Sequence, residues 1–166
     1  MLRLSNLADY GVVVMTAVAR GQRNGLLSAT QVATVTGIPV PTAAKLLGQL
    51  ARAGLLTSQR GVTGGFALAD SAERINLADI IEAIDGPISL THCGQPGTDC
   101  CDLAEFCQVR PHWTPVNRAI RAALSAVPLA ELSAETPSAS ISPAPAAETA
   151  AGTATEPFSA KQKIPA

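Results

Sequence analysis

Four cysteines, all that the chain contains, lie within fifteen residues of one another: Cys93, Cys100, Cys101 and Cys107. Thiolates bind soft metals and iron–sulfur clusters, and crowded thiols can also form disulfides or react with oxidants. The sequence shows no secretory signal and no apolar run long enough to span a membrane. We therefore expect a cytoplasmic protein with reduced thiols, in which the cysteine segment (residues 93–107) binds a metal or a cluster.

The spacing of the cysteines allows three thiolate ligands. These would be Cys93, Cys107 and either Cys100 or Cys101. The gaps between them contain five to seven residues, whereas structural zinc sites use cysteine pairs separated by about two to four. His92 and His112 flank the segment and could complete a four-ligand zinc site, so zinc stays an alternative.

The charges are distributed unevenly along the chain, although the net charge is only −1. Residues 1–69 contain six Lys or Arg and one acid, a local net charge of +5. Residues 75–107 contain six acids and no Lys or Arg, a local net charge of −6. The basic half predicts a nucleic-acid partner. Because no catalytic Ser/His/Asp or Cys/His arrangement and no phosphate-binding loop is evident, we expect neither an enzyme nor a small-molecule substrate.

The basic half is predicted to contain a helix-turn-helix. Apolar periodicity and end signals predict helices over residues 28–36 and 39–53, joined by a short turn at Gly37. The exposed residues of such a pair are of the kinds that contact phosphates and base edges. The predicted contacts are Thr30, Gln31, Pro41, Thr42, Lys45 and Gln49.

The next stretch is predicted to form a β-hairpin. Residues 55–60 and 66–69 have strand character, and a glycine-rich turn joins them. Arg60 at the base and Thr63 in the turn would contact DNA if the hairpin is a wing. A plain surface hairpin is the alternative, but it leaves the local charge of +5 unexplained. The predicted fold class is mainly α with a small β-wing.

Three regions follow from these patterns. Residues 1–74 are predicted to form a winged helix-turn-helix domain, and residues 75–132 a helix, the cysteine segment and a C-terminal dimerisation helix. A dimer suits two-fold symmetric DNA sites. Residues 133–166 are rich in Ala, Pro, Ser and Thr and contain few large apolar residues, so we expect a disordered tail.

Two further helices are predicted from apolar spacing. The first covers residues 4–20 and is expected to bury Tyr10 and Met15. The dimerisation helix covers residues 113–127, with Thr114-Pro115 supplying its cap and first position.

Several short motifs are distributed along residues 1–132. They are Leu2–Ser5 with Asp9-Tyr10, Gly37-Ile38 with Leu46-Leu47, Arg60-Gly61 with Gly64-Gly65-Phe66, Leu77–Pro87, and the cysteine segment followed by Trp113. Together these motifs resemble the IscR/NsrR-type winged-helix transcription regulators, and they are most similar to the branch that regulates the SUF iron–sulfur assembly operon.

The resemblance implies a homodimeric repressor that binds a double-stranded DNA operator. It further implies an iron–sulfur cluster, [2Fe–2S] in preference to [4Fe–4S], at each cysteine segment, and control of iron–sulfur assembly genes by cluster status. The ligands it implies are Cys93, Cys101, Cys107 and, from the other subunit, Asp9. Cys100 and His112 are the alternative ligands.

Two positions depart from the family pattern. The histidine ligand of IscR-like members corresponds to Arg110, and their recognition-helix glutamate corresponds to Ala44. The operator sequence of those members is therefore not transferred to this chain. A nitric-oxide- or redox-responsive regulator of the same fold, and a winged-helix regulator with structural zinc, are the alternative functions.

Overall fold

The computed structural model describes residues 3–21, 25–61, 63–91 and 107–134. In chain order the elements are α1 (Asn6–Gly21), α2 (Ala29–Thr36), α3 (Val40–Arg52), β1 (Leu56–Gln59), β2 (Gly65–Leu68), α4 (Leu77–Asp85), α5 (Arg110–Ser125) and α6 (Leu129–Ser133). A mainly helical chain with a two-stranded antiparallel sheet confirms the predicted fold class. Most of the cysteine segment, and the predicted tail from residue 135 onward, lie outside the described residues.

Local hydrogen bonds define the two helices of the helix-turn-helix. Ser28 Oγ accepts from the Gln31 N–H at 3.3 Å, and Gln31 Oε1 accepts from the Ser28 N–H at 2.8 Å, a capping box that begins α2. Gly37 ends α2 with φ of 74°, a left-handed conformation that glycine adopts at little steric cost. Pro39 then precedes α3. The predicted bounds of both helices differ from the observed ones by one residue.

The hairpin lies against the segment before α2. Leu56 of β1 pairs with Leu68 of β2, and the two strands run antiparallel. Leu27 exchanges two backbone hydrogen bonds with Phe66, at 3.0 and 2.8 Å. A Cβ added at Gly65 would lie 2.8 Å from the Leu27 backbone, so only glycine permits this close approach. The wing is thereby fastened to the start of α2.

One aliphatic core joins α1, α3, α4 and α6. Its fully buried side chains include Val14, Met15, Val18, Leu46, Leu47, Leu50, Ile80 and Leu129. Met15 is buried as predicted, but Tyr10 is 39% exposed, and its predicted place in the core is wrong. The reason is that α1 meets α4 at Gly11, where an added Cβ would lie only 3.0 Å from Ile84 Cγ1. Tyr10 lies beside this contact rather than within it.

The start of α5 differs from the prediction. The helix begins at Arg110, before the predicted Thr114-Pro115 start, and Pro115 lies inside it. Two prolines occur in this stretch, and Pro111 is the one in the first turn, where a missing N–H costs no hydrogen bond.

The end of α5 is joined to the start of α4 through the backbone. The Leu77 N–H donates to Val127 O at 2.9 Å, and the Leu129 N–H donates to Ile75 O at 2.7 Å. The short α6, which the sequence pattern did not predict, follows at once and places Leu129 in the core. None of the helices in the described ranges has the length and apolar character needed to cross a lipid bilayer.

Candidate nucleic-acid interface and cysteine segment

α3 has one buried side and one polar side. Its buried residues are Ala43, Leu46, Leu47 and Leu50. Pro41 and Lys45 are exposed and Thr42 is half-buried, and Thr30 is exposed near the start of the neighbouring α2. We call these four residues, Thr30, Pro41, Thr42 and Lys45, the polar face. The polar face contains four of the predicted DNA contacts, and it is open to solvent.

Two other predicted contacts have different surroundings. Gln31 is exposed, but its Oε1 accepts the Ser28 N–H in the capping box, so this oxygen already has a structural partner. Gln49 is half-buried, and its Oε1 is shielded from water without a hydrogen-bond partner in the described part of the chain. Sequence spacing alone could not separate these residues from the polar face, because capping and burial depend on neighbours.

The wing also places its predicted contacts on the surface. Arg60 directly follows β1 and is exposed, and Thr63 is exposed in the turn. In β1 only Leu56 is buried, and the three residues after it are exposed. The hairpin therefore offers a polar strand that ends in a cationic side chain.

The polar face and the wing belong to a stretch with one sign of charge. Residues 25–61 contain Lys45, Arg52 and Arg60 and no acid, and all three side chains are exposed. Arg52 was not predicted as a contact, although it follows Lys45 by seven residues on α3 and so lies on the same side of the helix. Such a surface suits the phosphate backbone of a nucleic acid.

The described residues include three of the predicted metal ligands. Cys107 is half-buried and lies just before α5, His112 is exposed in the first turn of α5, and Asp9 is exposed near the start of α1. Cys93, Cys100 and Cys101 lie outside the described residues. Within the described ranges, no group of three or more His, Cys, Asp or Glu comes together as a metal site.

Asn117 links α5 to the segment that precedes the cysteines. Its Oδ1 accepts from the Leu90 N–H at 3.1 Å, and its Nδ2 donates to Ser89 Oγ at 3.2 Å. Ser89 Oγ in turn donates to Thr91 O at 2.7 Å. The sequence pattern did not predict this contact, because one polar residue in an amphipathic helix gives no sign of a partner 27 residues away.

Arg121 links α5 to α4 at a second point. Its Nε donates to both carboxylate oxygens of Glu82, at 3.0 and 3.2 Å, and its Nη2 donates to Glu82 Oε2 at 3.0 Å. These hydrogen bonds raise the pKa of Arg121 above its usual range, and the nearby Asp79 adds to the effect.

α1 and α5 leave large apolar side chains in solvent. On α1 these are Leu7, Tyr10 and Val13, spaced three residues apart and therefore on one side of the helix. Val116 of α5 is 40% exposed, and Val109 just before that helix is 55% exposed. Soluble monomers rarely expose clusters of large apolar side chains, and such clusters mark surfaces that contact a partner.

The comparison with known proteins agrees on one family. The profile of the Rrf2 family, described as an iron-dependent transcriptional regulator, matches residues 4–135. The transcriptional regulator IscR of Xenorhabdus nematophila is 29% identical over 131 residues, which cover 79% of this chain and 79% of that protein.

Solved structures of related regulators have the same fold. CymR, the global cysteine regulator of B. subtilis, matches with a TM-score of 0.63 and 27% identity over 82% of this chain and 99% of CymR. T. potens IscR matches with a TM-score of 0.59 and 27% identity over 79% of this chain and 85% of that one. These relatives are transcription regulators and not enzymes. The match includes the helix-turn-helix, the wing and α4 to α6, and the chain therefore belongs to the Rrf2 family of DNA-binding transcriptional regulators.

Proposed function

We propose that this chain is a dimeric repressor that binds a DNA operator through the polar face and the wing, and that responds to iron–sulfur cluster status through the cysteine segment. The observation that supports DNA contact most directly is the charge of residues 25–61. Lys45, Arg52 and Arg60 are exposed there, and residues 25–61 contain no acidic residue. Phosphate contacts from such residues provide affinity that falls steeply with salt concentration.

The proposed cluster ligands are Cys93, Cys101 and Cys107, with Asp9 of the other subunit as the fourth. Iron–sulfur clusters take thiolate ligands, and one thiolate can be replaced by another donor, so three cysteines and a carboxylate fit as a donor set. The exposure of Asp9 leaves its carboxylate accessible to a second subunit. A bound cluster, [2Fe–2S] in this proposal, would supply iron that reacts with oxidants and nitric oxide, so its presence reports on cell chemistry.

The dimer is proposed from the exposed apolar residues of α1 and α5. Leu7, Tyr10 and Val13 are exposed on α1 close to Asp9 in sequence, and Val116 is an exposed apolar side chain of α5. In this proposal, a two-fold interface covers and buries these residues, and Asp9 of one subunit serves as a ligand to the cluster of the other. It would also place two α3 helices on one operator.

The test is anaerobic purification followed by visible absorption and iron, sulfide and zinc analysis of one sample. We expect a coloured protein with matching iron and sulfide, and tighter binding to DNA from upstream of iron–sulfur assembly genes than to a shuffled fragment of equal length. Removal of the cluster is expected to change that affinity. A protein that cannot be loaded with iron and sulfide would contradict the cluster sensor.

A second candidate is a regulator of the same fold in which the cysteines act as a zinc site or a thiol switch. Arg110, at the position where IscR-like members have their histidine ligand, favours this candidate. A colourless protein that retains zinc, or whose DNA affinity changes on thiol oxidation without any iron, would support it.

A further inference from the structure

Asn117 is the buried polar residue of α5. Its exposed fraction is 8%, and it is the one buried polar side chain in the described part of the chain. Both ends of its amide have partners on residues 89 and 90, across 27 and 28 positions of sequence. A buried amide whose donors and acceptor are matched to specific partners holds one geometry, since any other would leave polar atoms unpaired.

The two sides of this contact flank the cysteine segment. Ser89 and Leu90 precede Cys93 by four and three residues, and Asn117 follows Cys107 by ten residues on α5. The Asn117 hydrogen bonds therefore close the chain into a loop that contains all four cysteines. Closing a loop removes conformational freedom from the segment inside it.

We propose that Asn117 is a positioning residue for the cysteine segment: it fixes the entry of the segment on α5 and so preorganises the thiolates for the cluster. This inference rests on the proposed function, in which the segment holds a cluster. A segment whose ends are already joined loses less entropy when its thiolates converge on one site. By thermodynamic linkage, a bound cluster stabilises the Asn117 hydrogen bonds by the same free energy by which those hydrogen bonds stabilise cluster binding. The presence of the cluster therefore affects α5 through this residue.

Two other hydrogen-bonded contacts hold α5 and the residues just after it at a different place. Arg121 joins the helix to Glu82 of α4, and Val127 accepts from the Leu77 N–H. Both contacts connect α5 to α4, and neither involves residues 89–91. Breaking the Arg121 contact therefore loosens α5 on α4 and leaves the entry of the cysteine segment in place, which makes it a matched control.

The experiment compares Asn117→Leu, which keeps the size of the side chain and removes both hydrogen bonds, with Arg121→Met. In the cluster-free protein, we expect amide exchange at Leu90 to be about fivefold faster or more in N117L, the factor expected for the loss of one hydrogen bond. R121M is expected to keep the Leu90 protection. Fluorescence of Trp113, the single tryptophan, is expected to change in N117L because it lies one turn from Asn117.

In the loaded protein, an iron chelator is expected to remove the cluster about 10- to 100-fold faster from N117L than from the wild type, the range typical of residues that hold metal ligands in place. R121M is expected to release it at nearly the wild-type rate. Ser89→Ala, which removes the Nδ2 partner of Asn117 together with the hydrogen bond from Ser89 Oγ to Thr91 O, is expected to act in the same direction with a smaller effect. It keeps the test decisive if N117L does not fold.

Two results would overturn the role of Asn117, and they are distinguishable. If the wild type takes up cluster but N117L and S89A release it at the wild-type rate, or no faster than R121M, the positioning role is wrong and the proposed function stands. If the wild type takes up no iron and sulfide, the proposed function fails and the role assigned to Asn117 fails with it.

Discussion

Among single residues, Lys45 and Arg60 bear most directly on DNA binding, because they bring charge to the polar face and the wing. We expect K45A and R60A each to weaken binding on every DNA sequence and to lower the slope of log affinity against log salt concentration by about one. Fluorescence anisotropy at several salt concentrations measures both quantities. Arg74→Ala is the control, since Arg74 is exposed and, among the described residues, forms an ion pair with Asp70 at 3.6 Å.

An unchanged salt slope in both variants would remove Lys45 and Arg60 from the DNA interface. A loss in R74A equal to that in K45A would show that the effect is one of total charge rather than of position.

Asp9 is the second residue whose substitution separates two explanations. Because Asp9 is the proposed fourth ligand, we expect the Asp9→Asn variant to lose the cluster to a chelator at least about tenfold faster than the wild type. As a first-turn acid it would contribute only about 0.3–1 kcal/mol to helix stability. Asp70→Asn, at an exposed carboxylate that pairs with Arg74, is the control. A wild-type cluster lifetime in D9N would leave Asp9 with the helix-end role alone.

The exposure of some candidate residues follows from local sequence patterns, whereas the surroundings of others depend on tertiary packing. The exposure of Lys45 and Arg60 follows from local patterns, since Lys45 lies on the polar side of α3 and Arg60 directly follows a strand. Gln31 and Gln49 share that pattern, yet one caps α2 and the other is half-buried. Tyr10 is displaced from the core by the close approach of α1 and α4 at Gly11. These outcomes depend on packing between elements, which spacing along one element does not contain.

Among the elements, the helix-turn-helix contains two glycines, Gly37 and Gly48, whose substitution by alanine is expected to change the stability of the protein in opposite directions. Gly37 has φ of 74°, so G37A is expected to lower the free energy of unfolding by about 1–2 kcal/mol. Gly48 lies inside α3, where an added Cβ meets only Arg52 Nη1 at 3.6 Å. G48A is expected to raise the free energy of unfolding by about 0.5–1 kcal/mol. Urea denaturation measures both.

The opposite signs make the pair its own control, because both substitutions add the same methyl group. If both variants lost stability equally, the left-handed turn at Gly37 would not be the cause.

Helix bounds were predictable where the end signals are local. Ser28 and Gly37 define α2 from within a few residues, and the observed ends agree closely with the predicted ones. α5 began earlier than predicted because both Pro111 and Pro115 are acceptable helix-start residues on sequence grounds. α6 was missed because its five residues are too few to show periodicity, and tertiary burial of Leu129 stabilises it.

For the whole molecule, the association of two chains is the property to test. Val116→Glu would place a charge in the proposed interface, and burying an unpaired charge costs on the order of several kcal/mol. We expect V116E to shift the protein toward monomer in analytical ultracentrifugation. Val35→Glu is the control, since Val35 is 69% exposed on α2 and lies outside the proposed interface.

A wild-type chain that sediments as a monomer at every concentration would contradict the dimer. Equal dissociation of V116E and V35E would point to another interface.

The backbone links at the end of α5 have a mechanical consequence. Hydrogen bonds at Val127 and Leu129 anchor that end of the helix, and the opposite end lies next to Cys107. The 16 residues of α5 span about 24 Å, so a tilt of roughly five degrees moves the far end by about 2 Å. A small displacement at the cysteines thus becomes a rotation of a rigid rod. In the proposed two-fold dimer, symmetry would repeat this movement of α5 in both subunits.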